Sequence, residues 1–202
     1  MKKIMQKQRG FTLIELMVTV ALAAVLLAVG MPSMRSFIQN GRITAVTNEL
    51  VAALMVARSE AIRQNSTACV CPTTTAANAT PVCAASSNWE TGWIAFSDFN
   101  GDCAINGNDV LLKAWNGASY VGSMTVRNNN ASINSVNSVR FNTRGEPFAS
   151  GALQSGNFSV CDSRALVADS LGNVSTAAAV VVNPSGRARS TRQQAQITYT
   201  AP

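Results

Sequence analysis

The chain has 202 residues, 13% of them charged, no histidine and a formal net charge of +6. Without an imidazole no side chain has an ordinary pKa suited to proton transfer near neutral pH, and no phosphate loop, nucleophile elbow or carboxylate pair takes its place, so the sequence reads as a non-enzyme without a cofactor. The charge is also uneven. Lys2, Lys3, Lys7 and Arg9 all precede Phe11, leaving twelve basic against ten acidic side chains beyond residue 10, and any anion binding there has to come from local clustering.

Residues 1–9 are basic and polar. Gly10-Phe11-Thr12-Leu13-Ile14-Glu15 follows, then an uncharged apolar stretch from Leu16 to Met31. Phe11 to Met31 is about 20 residues, enough for a helix to cross a ~30 Å hydrocarbon core, and the basic residues ahead of it predict an inward N-terminus and an outward C-terminus. The run is longer than the apolar region of a secretory signal and ends in no small-x-small cleavage site. A plain anchor explains its length but not Glu15, because a carboxylate inside a membrane helix costs a few kcal/mol and demands a partner.

Lys7-Gln8-Arg9-Gly10-Phe11-Thr12-Leu13-Ile14-Glu15 resembles the cleavage motif of type IV prepilins. The resemblance implies that prepilin peptidase cuts between Gly10 and Phe11 and that the new N-terminal phenylalanine is methylated. It also implies that Glu15, then fifth in the mature chain, neutralises the N-terminal amine of a neighbouring subunit. Residues 1–10 are accordingly read as a leader peptide and 11–32 as a transmembrane and filament-core helix. The expected location is the bacterial inner membrane, crossed once with the C-terminus periplasmic, and then an assembled pilus.

Gly30 and Pro32 predict an interruption of the helix, with a second, amphipathic helix over 33–65. In it Ile43, Val46, Leu50, Leu54, Ala57 and Ala61 recur at spacings of three and four and form one apolar stripe; Arg42, Glu49, Arg58, Glu60 and Arg63 lie mostly off it. Beyond Asn65 the period changes to two, with turn residues between runs. Strands are expected at Thr67–Cys71, Gly92–Ser97, Val110–Trp115, Val121–Arg127, Ser138–Asn142, Asn157–Cys161, Ala178–Asn183 and Ala195–Thr200. The fold class is therefore α+β: a long N-terminal helix packed on an antiparallel β-sheet head over 66–183, with a basic C-terminal segment over 184–202. The stretch 57–65 and the segments Cys71-Pro72, Gly92–Phe96, Phe141–Gly145, Val160–Arg164 and Pro184–Arg187 resemble, in this order, the GspH/FimT group of minor pilins and pseudopilins.

Five cysteines follow the apolar run: Cys69, Cys71, Cys83, Cys103 and Cys161. Outside the cytoplasm they tend to oxidise, into at most two bridges. Cys71 and Cys83 bracket a polar loop that a bridge would staple, while Cys161 has both Cys69 and Cys103 as candidate partners; the connectivity stays open. Zinc is disfavoured, since Cys69 and Cys71 are too close for a knuckle and no histidine is present. Asp98-Phe99-Asn100-Gly101-Asp102, with Asn106 and Asp109, partly matches a calcium loop. Cys103 stands where that pattern wants glycine and Asp109 where it wants glutamate, so a turn rich in Asn, Asp and Gly is the better reading.

Pro184-Ser185-Gly186-Arg187-Ala188-Arg189-Ser190-Thr191-Arg192 concentrates three cations, and no acid follows Asp169. In an extended segment Arg187 and Arg189 point the same way, about 6–7 Å apart, and arginine suits phosphate through its planar fork. Gly186 allows a tight turn or close backbone approach. Gly186-Arg187-Ala188-Arg189 resembles the GRxR motif of the DNA-binding FimT-type members of the family. That resemblance implies non-specific, salt-dependent DNA binding through phosphates by Arg187 and Arg189, with Arg192 nearby, in natural transformation. The alternative from the same family is a structural subunit, a FimU-like minor pilin priming assembly or a GspH-like pseudopilin of type II secretion. The partners implied are other pilins or pseudopilins, prepilin peptidase, the inner membrane and DNA.

Overall fold

The computed structural model describes residues 10–117, 119–128, 137–149, 152–164, 166 and 168–198, with residues 29, 32, 33 and 152 described by their backbone alone. Residues 1–9 of the expected leader, and positions 199–200 of the last expected strand, lie outside this description. Two compact units make up the chain, residues 1–38 and residues 39–202.

A single helix, α1 (Leu13–Gln64), contributes to both. The expected break at Gly30 and Pro32 is not there: the helical backbone runs through both positions. Proline removes only one intrahelical bond and glycine costs about 1 kcal/mol, so the bonds on either side carry the helix past them. In the first unit the apolar side chains are exposed, Phe11 at 83%, Leu13 at 75% and Leu26 at 73%. Among the described residues no helical stretch is long and apolar enough to cross a membrane.

In the second unit the described residues of α1 lie with the strands β1 (Thr67–Pro72), β2 (Gly92–Asp98), β3 (Val110–Asn116), β4 (Met124–Asn128), β5 (Val139–Phe141), β6 (Phe148–Ala149), β7 (Ala152–Leu153), β8 (Gly156–Asp162), β9 (Ala177–Val182) and β10 (Ala188–Thr191). They form two antiparallel four-stranded sheets, β3-β2-β1-β5 and β10-β9-β8-β4, and a β6-β7 hairpin. The anticipated stripe of α1 is wholly buried: Ile43, Val46, Leu50, Leu54, Ala57 and Ala61, with Ala53 added, meet Val70, Trp93, Phe141, Phe158 and Val180 from both sheets in one core. Each large apolar side chain so buried stabilises the fold by roughly 1.5–3 kcal/mol.

Seven of the expected strands form, some with shifted ends. The fourth starts late, at Met124, because Tyr120 and Ser123 donate into a turn that begins at Gly117. Residues 195–198 are not a strand. Gln194–Gln196 is a 3₁₀ turn, and Ile197 is buried with Val174, Ala177 and Ala179; an apolar residue every other position served there to cover a sheet face rather than to join it. The segment 184–202, read as a basic appendage, supplies instead the edge strand β10, paired to β9 from Ala188↔Val182 to Thr191↔Ala179.

Candidate functional site

Three regions carry the residues singled out above. At the N-terminal one, Thr12 precedes the first turn of α1. The Thr12 hydroxyl accepts from the Glu15 N–H at 3.2 Å, and the Glu15 carboxylate accepts from the Thr12 backbone N–H at 3.1 Å and hydroxyl at 3.2 Å. This reciprocal pair is a capping box, which satisfies orphan donors at a helix start. The Thr-x-x-Glu spacing was readable in the sequence, but the prepilin reading of Glu15 obscured it. Within one chain the carboxylate is thus aimed back at the segment that holds Gly10 and Phe11, both exposed.

The cysteine-rich region lies on β1. Cys69 bridges Cys103, and Cys71 bridges Cys83, each with Cα atoms 5.6 Å apart. Cys161 joins neither bridge. It sits on β8 in the other sheet, buried against Val174 and Ile197; its candidate partners Cys69 and Cys103 are bonded to each other instead. Beside the first bridge, Asp98 is fully buried and accepts from the N–H groups of Gly101 at 2.7 Å and Cys103 at 3.0 Å. Asp109 accepts from Phe99 and Asn106, and Asp102 from Ala104. That last bond, with those of Asn106 and Asn100, holds the Asp102 carboxyl below its ordinary range. These three carboxylates approach within 4.8 Å, yet their oxygens are occupied by backbone donors and the Arg140 guanidinium lies 3.9 Å from Asp98. The loop is built as a set of side-chain-capped turns.

At the C-terminal region, β9 turns into β10 through Asn183-Pro184-Ser185-Gly186. Gly186 N–H donates to Asn183 O at 2.9 Å, Asn183 N–H to Arg187 O at 3.1 Å, and Arg187 N–H to Asn183 Oδ1 at 2.9 Å. Gly186 has φ +77°, and a Cβ built on it would lie 1.8 Å from Gly145 O; only glycine fits. Past the turn, Ala188 is buried while Arg187 and Arg189 on either side are exposed, as strand alternation requires. Neither guanidinium has a partner among the described residues. Arg192 differs from the expectation. It turns back onto the fold, donating to Ser175 O at 2.6 Å and Thr44 Oγ1 at 3.1 Å, so it braces β10 against α1.

Two further arginines, to which the sequence assigned no role, are also placed. Arg58 of α1 donates from Nε to Gly145 O and from Nη2 to Ser185 O, both at 2.9 Å. Arg164 donates to Asp162 on its own strand end and to Asn40 Oδ1 at 2.8 Å. No sequence signal marks the contacts with Gly145, Ser185 and Asn40, since these partners lie far along the chain.

Residues 46–186 match the family profile described as type II transport protein GspH, and residues 5–31 match the prokaryotic N-terminal methylation motif. The chain belongs to the GspH family. As a GspH-family protein with that motif it is a pilin-like subunit, a minor type IV pilin or pseudopilin. Its fold is that of the type IV minor pilin FimU of Pseudomonas aeruginosa strain PAO1, with a TM-score of 0.53 over 81% of this chain and 98% of that one at 16% identity. Among curated relatives, it is 42% identical over 48 residues to the type IV major alpha-pilin of Moraxella bovis, which is 24% of this chain and 30% of that protein. It is 43% identical over 47 residues to prepilin peptidase-dependent protein D of Escherichia coli K12, 23% of this chain and 32% of that protein. The GspH-family chain thus spans about a third of the length of the curated relatives it matches.

Proposed function

We propose that this GspH-family chain is a minor type IV pilin that joins a pilus and captures DNA through phosphates, for uptake in natural transformation. Its prepilin form is cut by prepilin peptidase between Gly10 and Phe11 and held in the bacterial inner membrane with its head in the periplasm. The uncharged run from Leu16 to Met31 supports the anchor. Glu15 then meets the Phe11 amine of a neighbouring subunit in the packed filament, where a paired carboxylate is tolerated in an apolar setting.

One observation carries the DNA reading: Arg187, just before the edge strand β10, and Arg189, within it, are both exposed and neither guanidinium has a partner among the described residues. Elsewhere in the head Arg63 pairs with Glu60 and the half-buried Lys113 with Glu49. Two guanidiniums at strand spacing match a repeating phosphate backbone and carry no base-reading geometry, so binding is non-specific and weak per subunit, with Kd of order 10⁻⁴–10⁻⁶ M at physiological salt. Several copies in one filament raise the effective affinity.

The test is duplex binding by the full chain in neutral-lipid nanodiscs, read by fluorescence anisotropy at low and moderate salt. Binding is expected to weaken with salt and to be lost in Arg187→Gln/Arg189→Gln; equal binding by that double variant would remove both arginines from the function. The second reading, a structural minor pilin or secretion pseudopilin, is favoured by the shared FimU fold, and it predicts no binding by the parent.

A further inference from the structure

The turn that presents Arg187 is locked to a second one from the other sheet. After β5, Asn142-Thr143-Arg144-Gly145-Glu146 repeats the construction of Asn183–Arg187. Gly145 N–H donates to Asn142 O at 2.8 Å, Asn142 N–H to Glu146 O at 3.0 Å, and Glu146 N–H to Asn142 Oδ1 at 3.0 Å. Gly145, like Gly186, is left-handed, with φ +73°. The two glycines touch, and the Arg58 fork ties a carbonyl of each turn to α1. Arg144 precedes one glycine and Arg187 follows the other, so each cation stands one residue from the contact that joins the two turns. The Arg144 side chain is 76% exposed, and its bond is from Nε to Glu146 Oε2 at 2.9 Å. Its terminal nitrogens have no partner among the described residues.

We infer that the two turns form one phosphate-binding surface, in which Arg144 makes a third contact to duplex DNA and Glu146 is its built-in competitor. The inference rests on the DNA-binding reading of Arg187 and Arg189. Two arginines two residues apart on one strand define a line; a third on a neighbouring turn defines an area, which restricts how a duplex lies across the head. A guanidinium bound through Nε still offers its outer edge to a phosphate. The Glu146 carboxylate beside it repels that phosphate and holds part of the guanidinium's charge.

The same nanodisc assay decides this. Arg144→Gln is expected to weaken duplex binding roughly five- to tenfold and to lower the slope of log K against log salt by about 0.9. Glu146→Gln, which can still accept from Asn142 and Arg144, is expected to strengthen binding about two- to fivefold, and this gain must vanish in the Arg144→Gln background. Parent-like affinity and slope in Arg144→Gln, alongside lost binding in Arg187→Gln/Arg189→Gln, would overturn the third contact and leave the DNA reading standing. A gain from Glu146→Gln that persists without Arg144 would overturn the competitor role. No binding by the parent defeats both readings. Phosphatidylglycerol vesicles that displace the duplex at equal phosphate would assign the surface to lipid headgroups and overturn the inference.

Discussion

At the scale of single residues, the glycine of the Gly-Arg-x-Arg segment is a packing residue as much as a motif residue. Its φ of +77° is costly for any side chain, and the space a methyl would need is already filled by Gly145 O. Left-handed strain of about 1–2 kcal/mol adds to a backbone clash of 1–3 kcal/mol. Gly186→Ala is therefore expected to lower stability by about 2–5 kcal/mol, read as a reduced urea midpoint with an unchanged slope. A variant as stable as the parent would show that the turn can open without cost. In the proposed DNA-binding function the role of Gly186 is to place Arg187, not to touch a ligand.

At the scale of elements, the β5–β6 turn closes a small electrostatic circuit. Glu146 accepts from Asn142 Nδ2 and Arg144 Nε, and these bonds, in that order, hold its carboxyl below the ordinary range. A carboxylate with a lowered folded pKa contributes stability above its unfolded value and loses it as pH falls through the folded value. Acidification below the ordinary 4.5 should therefore loosen this turn in the parent, while Glu146→Gln should lack that part of the acid sensitivity. Thermal melts of both proteins at neutral pH and below the carboxylate range check the difference. Glu60, Asp102 and Asp169 are shifted the same way by Arg63, by Ala104 N–H and by Asn173 N–H, so the comparison with the variant is what isolates Glu146. How legible these elements were in the sequence follows from how local their causes are. The α1 stripe and the runs at 67–71, 92–97 and 157–161 were readable because helix and strand periods are written in neighbouring residues. β10 was missed because Arg-Ala-Arg-Ser-Thr has almost no apolar alternation, and its pairing with the Ala- and Val-rich β9 alone makes it a strand.

At the scale of the whole molecule, two bridges and a buried thiol divide the cysteines. Cys71–Cys83 closes a polar loop with a sequence separation of 12, and Cys69–Cys103 one of 34. Constraining loops of such lengths is worth about 2–4 kcal/mol each in the unfolded chain. Thiol titration of the unfolded, non-reduced protein should find one reactive group, Cys161, and Cys71→Ser/Cys83→Ser should lower the melting temperature with the fold retained. Three reactive thiols would mean that one bridge is absent. Both bridges lie on the sheet that presents β5 and the Asn142–Glu146 turn, so reduction also tests whether that sheet holds its half of the charged surface.

The sequence by itself determined the prepilin-type start, the α+β class, the buried stripe and the presence of a local arginine cluster, because each is specified by residues within a few positions of one another. The tertiary structure alone decided that Cys161 joins neither bridge, that Arg192 turns back onto the fold while Arg187 and Arg189 are exposed, and that the Gly145 and Gly186 turns meet. Those outcomes depend on which sheet each strand joins and on two turns meeting across Arg58, contacts between residues 87 and 127 positions apart that leave no trace in local periodicity.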